Sequence, residues 1–289
     1  MKIDRVHFQS VRIHWDKVTH LDVRYFSVNE CFEVLRQAPS LTNCHFDNIK
    51  ANQSDFPLPE SVLYHPNLTS LQVYFLSPAI FFEGVSFPSL LFLFVESNTL
   101  ALPTRGLLSF LQRSSPPLLE LHIVSFENDD DEGSIIQILN ETPSLKTLHL
   151  HLTLGDNHNP SRLFQCLSDP ESTLSGDRTK FLPRLETMSY IGSFNFSWDL
   201  IPKIFGPSWR PLANFRLYCY DLCEDRATCI DKTTLLQIRE LVRQGIAIEI
   251  KDAFPDLDFV EFSRLQLAEP LPLHVYEFPS LDIALSLPY

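Results

Sequence analysis

Three histidines in neighbouring copies of a recurring pattern are the side chains best placed to bind a metal ion or exchange a proton. His122 and His149 occupy equivalent positions in two adjacent copies, and His151 follows two residues later. On neighbouring strands such positions lie about 5 Å apart, and alternate residues of one strand share a face. Imidazoles this close could hold a metal ion or gain charge together as the pH falls toward about 6. Ordinary surface histidines are the third interpretation, and we expect that one to hold.

A second group of potential ligands is the cysteine series Cys219, Cys223 and Cys229. Structural zinc needs four tetrahedral ligands, usually supplied in closely spaced pairs, and no fourth Cys or His follows soon after Cys229. The phosphate-loop, dinucleotide, nucleophile-elbow and HExxH motifs are absent from the sequence. We therefore predict no catalytic residue, no cofactor and no metal, and we expect a non-enzymatic protein.

The histidines belong to a pattern that recurs eight times along the chain. Each copy has an apolar residue, two others, a second apolar residue, one other, and a third apolar residue. A period of about 20–29 residues around such a core is the signature of leucine-rich repeats. The interval before the seventh copy is longer and contains an insertion. The third apolar positions are Val23, Phe46, Val73, Val95, Ile123, Leu150, Tyr190 and Leu217.

Each copy predicts a short parallel strand followed by a return segment. Apolar periodicity and capping residues predict helices in six returns, at 28–38, 106–113, 134–141, 161–167, 199–205 and 231–244. The alternation at 246–250 predicts a ninth strand. The expected fold is α/β: an irregular leucine-rich-repeat solenoid, a ribonuclease-inhibitor-like horseshoe with about nine parallel strands. We predict one domain over residues 1–254 and a C-terminal capping tail over 255–289.

The strand alternation also predicts which side chains can reach a partner. The apolar positions point inward, so the residues between them should line the exposed concave face of the sheet. Aromatic residues and arginine are the types that protein-binding surfaces enrich. The predicted protein-binding residues are Arg24, His45, Gln72, Tyr74, Phe92, Phe94, Glu120, His122, His149, His151, Arg216 and Tyr218.

Composition narrows the partner and the compartment. The formal net charge of -13 argues against nucleic acid, because that affinity rests on Lys and Arg, and makes a basic protein the easier partner. No apolar run approaches the ~18–20 residues that cross a bilayer, and the first residues do not form a secretory signal. Six cysteines without paired spacing do not suggest disulfides. We expect a soluble protein of the cytoplasm or nucleus with no membrane partner.

Four segments have a characteristic order of residues: 18–46 (VTHLDVRYFSVNECFEVLRQAPSLTNCHF), 181–192 (FLPRLETMSYIG), 198–211 (WDLIPKIFGPSWRP) and 235–250 (LLQIRELVRQGIAIEI). They resemble the repeat region of the large fungal class of F-box/leucine-rich-repeat-like proteins. In that family an N-terminal F-box docks onto a Skp-type adaptor of a cullin–RING ubiquitin ligase, and the repeats select the target. Here the first residues already predict a repeat strand, so the adaptor is implied only if an F-box lies upstream. The asparagine ladder of regular repeats is reduced to Asn98.

These observations favour a protein–protein interaction module, namely the substrate-recognition region of an F-box-type ubiquitin-ligase receptor. Two alternatives remain open. One is a small-molecule sensor with a pocket near Phe92, Phe94 and His122, and the other is a repeat-only scaffold without a ligase role. A metal-assisted hydrolase around His122, His149 and His151 is a further, enzymatic alternative.

Overall fold

A computed structural model describes residues 1–5, 8–50, 56, 58–75, 80–97, 102–125, 132–152, 160–169, 180–193, 196–206, 209–220, 230–252 and 257–268. Its strands are β1 (Lys2–Asp4), β2 (His20–Arg24), β3 (Asn43–Ile49), β4 (Leu63–Tyr64), β5 (Ser70–Phe75), β6 (Val85–Ser86), β7 (Phe92–Ser97), β8 (Glu120–Ser125), β9 (Thr147–Leu152), β10 (Thr187–Ser193), β11 (Asn214–Tyr220), β12 (Ala247–Asp252) and β13 (Leu257–Asp258).

Eleven of these strands form one open α/β sheet in the order β1-β2-β3-β5-β7-β8-β9-β10-β11-β12-β13. All nine strands predicted from the sequence are present, and every step from β1 to β12 is parallel. A tenth parallel strand, Lys2–Asp4, lies where the first residues of the sequence predicted a strand, and it pairs with Asp22–Arg24. The last strand, β13, runs antiparallel to β12. Strands β4 and β6 form a separate parallel pair.

The described part of the chain contains seven α-helices, six of them in return segments and the seventh in the C-terminal tail. They are α1 (Val28–Gln37), α2 (Thr104–Ser114), α3 (Glu132–Asn140), α4 (Ser161–Ser168), α5 (Leu200–Ile204), α6 (Lys232–Arg243) and α7 (Phe259–Ala268). The first six match the predicted helices. Helix α1 begins with a capping box in which Ser27 accepts from the Glu30 amide while Glu30 accepts from the Ser27 amide, and such reciprocal bonds satisfy amides that have no partner within the helix.

The core lies between the sheet and the return segments. Strand residues at the apolar repeat positions are buried, among them Leu71, Leu93, Leu121 and Leu148, each 0% exposed. Aromatic side chains of the returns pack against the strand residues: the ring centroid of Phe164 in α4 lies 5.4 Å from that of Tyr190 in β10. This packing fixes the inward face of each strand and leaves the alternate side chains on the opposite face.

Side chains tie neighbouring returns together at a spacing of about one repeat. The Asn67 amide donates to the Pro39 carbonyl at 2.9 Å, the Ser144 hydroxyl to Leu118 at 2.8 Å, and Arg113 to Val85 at 2.6 Å. Arg210 donates to the Phe181 carbonyl at 2.9 Å. Different side-chain types therefore satisfy the return carbonyls in place of a regular asparagine ladder; Asn98 itself lies outside the described residues.

The start of the predicted C-terminal tail packs against the last two return segments. Phe259, 0% exposed, stacks on Trp198 with ring centroids 5.4 Å apart, and the Ile230 amide donates to Ser263 Oγ at 3.3 Å. The sequence predicted neither α7 nor β13, because residues beyond 255 carry no repeat pattern. Residues 269–289 of the tail lie outside the described residues, as do residues 126–131 of an acidic insertion.

Replacing the cap of α6 is expected to lower stability modestly. Asp231 accepts from the Thr233 and Thr234 amides at 2.9 and 3.1 Å, so Asp231→Ala should lower the free energy of unfolding by about 1 kcal/mol. Asp231→Asn keeps an accepting oxygen and should stay near the wild-type value. Chemical denaturation at pH 7 measures both. Equal losses in the two variants would contradict the capping role.

The same cap predicts a pH dependence. Hydrogen bonds from the Thr234 hydroxyl and amide lower the pKa of Asp231 from its ordinary value of 3.8. A carboxyl with a depressed folded-state pKa stabilises the fold above its ordinary pKa and loses that contribution as the pH falls through the folded value. The stability gap between wild type and Asp231→Ala should therefore shrink below pH 3.8.

Candidate functional site

All twelve predicted binding residues lie on one face of the sheet. We call it the open face, and it comprises the strand residues that alternate with the buried apolar positions. Arg216 is exposed and the other eleven are half-buried. Register aligns His45, Gln72, Phe94, His122 and His149 across five consecutive strands. A neighbouring line runs through Tyr74, His151 and Tyr218. The structure therefore brings the predicted residues together as rows on a continuous surface.

Five rings form a contact chain along this face, which we call the ring row: His45, Tyr74, Phe94, His122 and His149. Successive ring centroids are 5.1, 4.9, 5.7 and 4.2 Å apart. Phe92 joins its flank, with a centroid 5.3 Å from that of His122. These separations are typical of interacting aromatic rings. Adjacent parallel strands therefore present a band of ring surface that remains partly accessible to solvent.

The middle of the ring row contains a cluster of two imidazoles and a carboxylate. The Glu120 Oε1 atom lies 2.6 Å from His122 Nε2, and one ligand atom from each of Glu120, His122 and His149 lies within 4.8 Å of the others. Burial, followed by the neighbouring His122, lowers the pKa of His149 to about 4. His149 is therefore neutral at pH 7. In the described part of the chain, no other group of three His, Cys, Asp or Glu residues is this close.

His151 lies in a different contact from the one that the sequence suggested. Its Nε2 atom is 2.8 Å from the hydroxyl of Tyr220 in β11, two strands away in the sheet order, and burial lowers its pKa. Glu120, which was predicted only as a protein-binding residue, is the third member of the cluster with His122 and His149. Tyr220 was missed because it lies beyond the apolar triplet, although extending the alternation by two residues would have found it.

Charged residues occupy both ends of the open face. Arg24 Nε lies 3.3 Å from Asp47 and 3.9 Å from Asp22, and His45 Nδ1 lies 3.3 Å from Asp22. At the other end, Arg216 lies 3.4 Å and Lys251 3.2 Å from Glu249. Partly exposed pairs at a surface typically contribute about 1 kcal/mol or less each. These pairs therefore add little to stability, and their main effect is on the charge pattern that the open face presents to a partner.

The cysteine series offers one described thiol. Cys219 is 0% exposed in β11, and burial raises its pKa, which makes it a poor nucleophile or metal ligand. Cys223 and Cys229 lie outside the described residues. The other described cysteines, Cys31, Cys44 and Cys166, are buried free thiols.

Comparisons with known proteins give no relative for this chain. Among the described residues, no helix has both the length and the apolar character needed to cross a bilayer. No family model matches the sequence, and neither a curated protein nor a solved structure matches it significantly.

Proposed function

We propose that the chain is a leucine-rich-repeat solenoid of the ribonuclease-inhibitor-like kind that acts as a non-enzymatic protein-recognition module. Three features support the repeat fold. They are the sequence period, the pairing of each repeat strand with the strand of the next copy, and the hydrogen bonds from side chains to backbone carbonyls about one repeat earlier in the chain. In solenoids each unit contacts its neighbours, and the resulting extended surface is a common binding site. The open face would be the concave surface of that horseshoe.

The ring row is the observation that carries this function. Tyr74 and Phe94 stack at 4.9 Å and are half-buried, so a partner could cover them at a small cost in side-chain entropy. Burying such rings from water supplies most of the energy at protein-binding hot spots. A folded core needs no ring row on the face opposite its buried residues, whereas a recognition surface does.

The charge pattern favours a basic partner. The net charge is -13, and the face cations Arg24, Arg216 and Lys251 each have a carboxylate of the same chain within 4 Å. The long-range potential is therefore negative, which speeds the approach of a positively charged protein. Mutation of rim charges should change the association rate and its dependence on salt.

The resemblance to fungal F-box/leucine-rich-repeat-like proteins specifies the role further. We propose that the open face selects substrates for a cullin–RING ubiquitin ligase, with a Skp-type adaptor engaged through an F-box encoded upstream. The working compartment would then be the cytoplasm or the nucleus. Without an upstream F-box, the same surface would serve a repeat-only scaffold.

Site-specific photo-crosslinking can identify the partner and test the surface together. A photoreactive residue at Gln72, beside the ring row, should crosslink a specific protein, whereas the same residue at the exposed Gln237 of α6 should not. The crosslinked protein is then purified and titrated against variants. We expect Tyr74→Ala to raise its Kd by about tenfold or more, because central aromatic rings dominate binding energy.

Matched controls separate loss of binding from loss of fold. Tyr64, 65% exposed, and Leu236, 55% exposed, lie outside the main sheet, so Tyr64→Ala and Leu236→Ala should leave the Kd unchanged. An unchanged Kd for Tyr74→Ala would reject the open face as the binding surface. The ligase role is tested by measuring ubiquitylation of the partner in cells with and without this chain. If the level is the same in both, the ligase role is rejected, whereas the recognition role is not.

The small-molecule alternative rests on the contacts between Phe92, Phe94 and His122, whose rings meet at 5.3 and 5.7 Å. Bound metabolites raise the melting temperature because they bind only the folded state. A metabolite that raises it in wild type but not in Phe94→Ala would favour a sensor over a protein-recognition module.

A further inference from the structure

We propose that Glu120, His122 and His149 form a binding site for a divalent transition-metal ion of the zinc class on the open face. One ligand atom from each residue lies within 4.8 Å of the other two. Zinc bound tetrahedrally at about 2.0–2.2 Å keeps its ligand atoms roughly 3.3 Å apart. Coordination would bring the ligand atoms from their present separations to about that distance.

The backbone positions of the three ligands are set by the sheet. His122 and His149 are register partners on the parallel strands β8 and β9, and Glu120 precedes His122 by two residues on β8. Sites built on strands hold their ligands more accurately than sites built on loops. Phe92 and Phe94 pack beside His122 and restrict the movement of its ring.

The contacts of these groups also favour a metal. His149 lies beside the other two groups, and its ring centroid is 4.2 Å from that of His122. Among the described residues the ring nitrogens of His149 have no hydrogen-bond partner. Glu120 and His122 meet at 2.6 Å, and a metal ion can replace the proton between them. Glu120 and His122 would then each bind the metal ion in place of the other, so neither would be left without a partner.

The donor set selects the class of ion. Two imidazoles and one carboxylate suit Zn²⁺ and its transition-metal neighbours, whereas Ca²⁺ and Mg²⁺ prefer oxygen ligands alone. Three protein ligands leave a fourth position open to water or to a side chain of a bound protein. We predicted no metal from the sequence because ordinary surface histidines were the expected interpretation, and the cluster that we considered contained His151 in place of Glu120.

Calorimetric titration of the purified full chain with Zn²⁺, after removal of metal with EDTA, tests the site. We expect about one equivalent to bind in wild type. His122→Gln, His149→Gln and Glu120→Gln should each weaken binding by at least about tenfold, since each removes a ligand. Co²⁺ should give the visible bands of a tetrahedral site without a sulfur-to-cobalt band in the near ultraviolet.

Three control variants make the assignment specific. His151→Gln, His14→Gln and the double variant Cys223→Ser/Cys229→Ser should all retain the wild-type affinity. The Glu120 and histidine variants should unfold at the wild-type temperature in EDTA, because their side chains lie outside the buried core. Binding that is lost in the cysteine variant, a sulfur-to-cobalt band, or an affinity unchanged in His122→Gln and His149→Gln would each overturn the proposal.

Discussion

Arg210→Met is expected to lower the free energy of unfolding by about 3 kcal/mol. Arg210 is 7% exposed, and its guanidinium donates to four backbone carbonyls. The distances are 2.6 Å to Leu167, 2.9 Å to Phe181, 3.3 Å to Ile204 and 3.4 Å to Leu182. Methionine fills much of the same volume but donates no hydrogen bond.

The size of the effect follows from where those carbonyls lie. Leu167 and Ile204 belong to the last turns of α4 and α5, and Phe181 and Leu182 precede β10. Helix ends leave carbonyls without partners inside the helix, and a buried acceptor without a donor costs about 1–3 kcal/mol. Burial lowers the pKa of Arg210 to about 10, which still leaves it charged at pH 7. One cation therefore satisfies carbonyls in two successive return segments at once.

An exposed arginine provides the control for this experiment. Arg184 lies near the same returns but is exposed, so Arg184→Met should change stability by less than about 0.5 kcal/mol. Equilibrium denaturation of both variants by urea gives the comparison. Equal stability of Arg210→Met and Arg184→Met would mean that water or rearranged backbone satisfies the four carbonyls without the guanidinium.

The repeat strands and helices could be predicted because their signals are local. In β9 the alternation of Leu148 and Leu150 with His149 and His151 fixes both the strand and its buried face. In α1 the cap Ser27 and the apolar stripe of Phe32 and Leu35 specify the start and the packed side. Since each repeat contacts its neighbours, equivalent positions also predicted that His122 and His149 would be adjacent.

Contacts between repeats depend on side-chain reach and could not be predicted in the same way. Nothing in the sequence indicates that Arg210 turns inward while Arg184 stays in solvent. Similarly, the alternation places Glu120 and His151 on one face but does not specify that Glu120 contacts His122 while His151 reaches Tyr220. The candidate metal site therefore depends on the side-chain rotamers of the two neighbouring strands β8 and β9, which the sequence does not specify.

Gly192→Ala is expected to destabilise the protein by about 2–3 kcal/mol, whereas Gly106→Ala should stabilise it by up to about 1 kcal/mol. A Cβ at Gly192 in β10 would lie 2.6 Å from the Leu152 carbonyl oxygen and 2.7 Å from the Tyr190 hydroxyl. Leu152 is the register partner of Gly192, and Tyr190 is 0% exposed, so neither group can move without disturbing the β9–β10 pairing.

Gly106 in α2 is the control: the atoms nearest to an added Cβ would lie at 3.7 Å, which is ordinary contact, and alanine favours the helix. Opposite shifts in the urea midpoint are the expected result; a shift of the same sign in both variants would contradict the close approach of β9 to β10.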